Sequence, residues 1–228
     1  MSVVIYRLPE KKPFRWFFYC PACQHRLSGV DLIPILSYLR LQGRCLYCKA
    51  PISVTYPIVE LITGVITMIW GLRFQADPWG IAILVLTYGL TAIGFIDFKY
   101  LIIPDLITIP LIIGAMGFQL WQGAIVPAII GALAGGGLLG LIAVIYPRGM
   151  GLGDAKLLAL IGLFLNWRQV FLVLFLSGLL GMVVMLPFIL LKKRRRDQPF
   201  PFGPFLAGAA GLVIYLPGSL LQGCLPTW

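Results

Sequence analysis

From Thr55 onward the chain is a succession of seven apolar runs, 55–72, 79–96, 106–121, 126–145, 154–165, 170–191 and 205–221, separated by short polar turns. Such runs leave few folds open. A bilayer core is crossed by about 20 mostly apolar residues in a helix, because every backbone N–H and C=O must be satisfied within the segment. Only 11% of the 228 residues are charged and 60% are hydrophobic. A soluble domain carries about a quarter charged residues, so lipid is the expected solvent. The expectation is an all-α polytopic membrane protein of about seven transmembrane helices, the fifth of them short and followed by a tight turn.

The first 54 residues have a different character. They hold eight basic residues and four of the five cysteines, and no stretch long enough to span. The predicted organisation is therefore a small polar domain over 1–54 and a membrane domain over 55–228.

Charge assigns the sides. If the runs alternate, sixteen Lys and Arg fall on the side of the 1–54 domain, including Lys99, Arg148, Lys156 and the run Lys192–Arg196. Only Arg73 and Arg168 fall opposite. Basic loops stay cytoplasmic, which places the cysteine domain inside and the C-terminus outside. The net charge of +10 is thereby read as a partner of anionic lipid, not of nucleic acid.

Cys20-Pro-Ala-Cys23 and Cys45-Leu-Tyr-Cys48 are two CxxC pairs with 21 residues between them. Paired knuckles at this separation read as a tetrahedral structural zinc site. Disulfides do not suit a reducing cytoplasm. His25 is a spare ligand that four cysteines make unnecessary, and Cys224 has no assigned role. The Gly-rich stretch 131–140 lacks the strand and the lysine of a phosphate loop, and reads as close helix packing.

Acids at membrane depth are costly and mark function. Asp97 ends the second run, where the helix dipole disfavours negative charge. Asp105 follows Pro104 and Asp154 follows Gly151-Leu-Gly153 at helix starts, where capping is a competing role. Alternation puts all three on one side, with Lys156 near them. The two glycines are expected to let an extended backbone approach Asp154. Glu60, near the inner end of the first run, either holds a cofactor amine or is simply solvated. From the residues alone, a catalytic Asp97–Asp154 pair, a structural role for these acids and an ion path all stay open, as does a zinc-dependent assembly factor.

An ordered set of motifs narrows this. VVIYRLP at 3–9, the two knuckles, Asp31-Leu-Ile-Pro-Ile-Leu-Ser37, Gly43-Arg-Cys45, Tyr56-Pro-Ile-Val-Glu60, Asp97 with Pro104-Asp105, and Gly151-Leu-Gly153-Asp154-Ala-Lys156 together resemble the type IV prepilin leader peptidases, a branch of the GxGD intramembrane aspartic proteases. The resemblance implies cleavage of leaders from prepilins and pseudopilins, with Asp97 and Asp154 as the peptidase aspartates. It implies N-methylation of the new terminus from S-adenosylmethionine and an inner-membrane location, and it adds an eighth hydrophobic helix upstream of VVIYRLP that is expected to be missing from this sequence.

Overall fold

The computed structural model describes residue 5 and residues 19–20, 22–26, 36–74, 77–146, 151–190 and 200–215, with side chains undescribed at 188–190. The basic run 192–197, Arg148, Cys224, residues 31–35 and most of VVIYRLP lie outside that set. The described elements are helical apart from two isolated β-bridges. A short helix α1 covers Leu36–Arg40. Seven apolar helices follow: α2 Thr55–Arg73, α3 Pro78–Tyr100, α4 Asp105–Trp121, α5 Ile125–Ile145, α6 Leu152–Gly162, α7 Trp167–Leu190 and α8 Gly203–Tyr215. Each coincides with one of the seven apolar runs. Four of them, α2, α3, α5 and α7, are long and apolar enough to cross a membrane. The chain divides into two compact units, Met1–Leu72 and Arg73–Trp228.

In the second unit α3 to α8 alternate in direction. Lys156 at the start of α6 reaches Asp105 at the start of α4. At the far ends, the buried Gln119 of α4 donates from Nε2 to the Leu163 carbonyl after α6. That far end also gathers Trp79, Phe118, Trp121 and Phe164 into ring contacts of 5.8–6.0 Å, and aromatic side chains favour a membrane boundary.

Short α6 is the central post. Its eleven residues rise only about 16 Å, half the bilayer core. Leu157, Leu158, Leu160 and Ile161 are wholly buried, so the helix is sheathed by its neighbours α4, α5, α7 and α8. Glycine makes that sheath tight. A Cβ on Gly131 of α5 would lie 2.3 Å from the Gly162 carbonyl oxygen, and one on Gly136 would lie 2.5 Å from the Ala159 Cβ. The Gly-rich stretch is packing surface, as its small residues imply. A π-helical turn at Leu133–Gly137 interrupts α5 there. After α6 the chain turns sharply, and Asn166 and Gln169 cap α7 reciprocally, each side chain accepting the other's backbone N–H at 3.0 and 3.1 Å. That pair forms a capping box. Outward faces are apolar: Phe175, Met182 and Val183 of α7 are all exposed, as lipid contact requires.

Candidate active site and metal centre

Asp97 lies in the last turn of α3 and is only 5% exposed. Its helix ends at Leu101, a left-handed residue (φ 56°) whose N–H donates to the Asp97 carbonyl at 2.9 Å. The carboxylate accepts a hydrogen bond at Oδ2 from the backbone N–H of Gly203, also 2.9 Å. Gly203 opens α8, so the acid lost to the unfavourable end of its own helix dipole faces the favourable end of another. This contact was absent from the sequence reading. Its signal was Pro201-Phe-Gly-Pro204, a turn-and-start pattern directly before the last apolar run.

Asp154 stands in the first turn of α6, partly buried, with its N–H bonded to the Gly151 carbonyl at 3.2 Å. It is within Coulombic reach of Asp97. The two acids, far apart in sequence, therefore share one end of the bundle. Gly151 is the cap residue of α6, and the Asp154 carboxylate accepts from its backbone N–H, as the third helical residue of a capping box does.

The capping role weighed for Asp105 is corrected. Pro104 is the cap residue and Asp105 the first helical residue, with no side-chain cap bond. Instead Asp105 accepts from Lys156 Nζ at 2.8 Å, with the side chains 53% and 46% exposed respectively. Lys156 thus neutralises Asp105. Gly151 and Gly153 differ in surroundings. A Cβ on Gly151 would stand 3.6 Å from Asp154 Oδ2, whereas at Gly153 the same position is held by Ile103, 3.1 Å away.

Glu60 is a half-buried residue of α2 in the first unit. Its carboxylate is an acceptor of the kind a cofactor ammonium needs.

The first unit also contains the cysteine centre. Its two knuckles are built alike. Cys20 N–H donates to His25 O and Gln24 N–H to Cys20 O; Cys45 N–H donates to Ala50 O and Lys49 N–H to Cys45 O. Gln24 and Lys49 both turn left-handed, and the bridges Tyr19–Arg26 and Arg44–Pro51 close the two loops. The four Sγ atoms lie within 4.8 Å of one another, and Cys20 Sγ is 3.7 Å from Cys48 Sγ. A tetrahedron of thiolates on zinc has an edge of about 3.8 Å, so the donor set fits. Without a cation the cluster cannot ionise fully. Burial works against the Cys20 thiolate, but the Cys23 and Ala22 N–H groups and the neighbouring thiols bring its pKa down to about 7. The Ala50 N–H favours ionised Cys48, but desolvation and the other three thiols push it up to about 12. His25 packs against Tyr47, with ring centroids 3.7 Å apart and the planes tilted by 35°.

Fold and site define a polytopic helical membrane protein with two acids gathered at one end of its bundle, together with four clustered thiols that could hold a metal ion. The family model described as the type IV leader peptidase family matches residues 84–186, and that of the bacterial peptidase A24 N-terminal domain matches residues 1–74. The prepilin leader peptidase/N-methyltransferase of Aeromonas hydrophila is 40% identical over 211 residues, covering 89% of this chain and 72% of that protein. Its namesake in Stutzerimonas stutzeri is 37% identical, covering 88% and 71%, and that of Pseudomonas putida 35%, covering 94% and 85%. No solved structure matches significantly. The chain belongs to the type IV leader peptidase family. Family and apolar helices together mark a multi-pass inner-membrane protein.

Proposed function

We propose that this chain removes the leader peptide from prepilins or pseudopilins by a two-aspartate mechanism, with Asp97 and Asp154 as the working carboxylates, and then N-methylates the exposed terminus. The observation that carries the reading is that Asp154 at the start of α6 and buried Asp97 at the end of α3, remote in sequence, come near enough to disfavour each other's negative charge. Two carboxylates so placed share a proton. The ionised one takes a proton from a water held between them, and that water attacks the scissile carbonyl. The protonated one donates to the carbonyl oxygen, and a proton then passes to the leaving amine. A substrate helix must unwind at the cleavage point, because a helical carbonyl is already hydrogen-bonded.

The charge asymmetry of the loops supports a cytoplasmic position for this end of the bundle, with the C-terminus outside. The near-equivalence of the two knuckles and the fit of their sulfurs support structural zinc held by Cys20, Cys23, Cys45 and Cys48. Methyl transfer draws on S-adenosylmethionine, which supplies an electrophilic methyl group when bound. Glu60 is the acceptor we assign to its amine. The domain division at 54/55 belongs to the same reading.

Incubation of the purified protein with a prepilin, followed by mass measurement, tests both activities together. Leader loss with a gain of one methyl group is expected. Intact prepilin after incubation with folded, zinc-loaded protein would overturn the proposal.

A further inference from the structure

The N-terminus of α8 does more than pack beside the dyad. Its Gly203 N–H is aimed at one particular oxygen of Asp97, Oδ2, at 2.9 Å. An N–H can only donate, so the oxygen it faces is an acceptor in either protonation state of the carboxyl group. A carbonyl oxygen accepts better than a hydroxyl oxygen, so this contact favours a proton residing on Oδ1 of Asp97.

The approach is too close for any side chain. A Cβ on residue 203 would stand 2.8 Å from Oδ2, 3.1 Å from Cγ and 3.2 Å from Cβ of Asp97. The aspartate is short and buried, so it cannot swing aside into solvent. The rest of this helix pair is less demanding. At Gly94, one turn before Asp97, a Cβ would meet Pro204 Cα and Ala207 Cβ at an ordinary 3.5 Å.

We infer that Gly203 is a positioning residue for leader cleavage: its N–H fixes Oδ2 of Asp97 as the accepting oxygen and reserves Oδ1 for the shared proton and the attacking water. This rests on the reading that Asp97 works in cleavage. Any residue with a Cβ at 203 displaces the carboxylate, and a catalytic group moved by about 1 Å can cost roughly a hundredfold in rate.

The experiment compares Gly203→Ala, Gly94→Ala and Asp97→Asn in the full-length, zinc-loaded protein. Each is assayed for prepilin cleavage and, separately, for methylation of a pilin supplied already cleaved. For Gly203→Ala, kcat of cleavage should fall roughly a hundredfold while KM and methylation stay near wild type. Gly94→Ala should keep both activities. Wild-type cleavage by Gly203→Ala beside an inactive Asp97→Asn overturns this inference and leaves the dyad standing. Equal losses in Gly203→Ala and Gly94→Ala, or loss of methylation with cleavage in Gly203→Ala, show a packing role and overturn it too. Active Asp97→Asn removes the dyad reading and the inference with it.

Discussion

Ile103 sits where a side chain on Gly153 would have to go, its Cβ 3.1 Å from that position. Ile103 belongs to the loop between the helix carrying Asp97 and that carrying Asp105. The second glycine of the Gly151-Leu-Gly153-Asp154 motif therefore seats this loop against the start of α6. Gly153→Ala should lower cleavage by pushing the Asp154 turn and the loop apart. Ile103→Ala in the same chain should restore part of the rate, because it empties the contested space. Kinetics of the two single variants and the double variant check this coupling.

The proposed Asp97–Asp154 dyad makes the sharpest prediction. Asp97→Asn and Asp154→Asn should each reduce cleavage by about 10²–10⁴-fold or more, since an amide replaces a proton-transferring group. The substitutions are nearly isosteric, so thermal unfolding in detergent should shift little. Full cleavage by either purified variant contradicts the assignment.

At the metal centre, one zinc per chain is expected, and Cys45→Ser should lose it. Thiolates must be deprotonated to bind, so protons compete with the metal. Affinity should fall as pH is lowered, and the ion should be released in acid. Zinc analysis across a pH series, with amide exchange read over residues 19–26 and 44–52, follows both events. Exchange protection that survives complete metal removal would show that the ion is not structural.

Backbone contact between α5 and α6 predicts a steep glycine dependence. Gly131→Ala places a methyl 2.3 Å from two carbonyl oxygens, those of Gly162 and Leu165. It should destabilise the protein by about 1–3 kcal/mol or more, as overpacking does. Gly117→Ala in α4 meets nothing within 4 Å and should be neutral or mildly stabilising. Melting temperatures of the two variants make the comparison.

The Asp105–Lys156 ion pair should matter little for stability. Both side chains are about half exposed, and pairs of this kind contribute about 0–1 kcal/mol. A double-mutant cycle with Asp105→Ala and Lys156→Ala should give a coupling energy within that range.

Much of this molecule was legible in its sequence. Seven apolar runs became seven helices, because lipid leaves a backbone few other ways to satisfy its polar groups. The paired CxxC spacing announced a four-sulfur cluster, because two residues between cysteines let both sulfurs of a knuckle turn toward one point. The apparent cap Asp105 was misleading: a short polar residue at a helix start scores as a cap by composition, while Pro104 had already taken that position.

What the sequence determined by itself was local: the helices, the turns between them and the thiols each knuckle presents, all set by residues a few positions apart. Only the tertiary structure decided which side chains answer one another. Asp97 meets the N–H of Gly203, Lys156 is claimed by Asp105, and Ile103 fills the hollow at Gly153. Those pairings depend on how closely whole helices approach, and that distance is set by the glycines and small side chains of every helix in the bundle together.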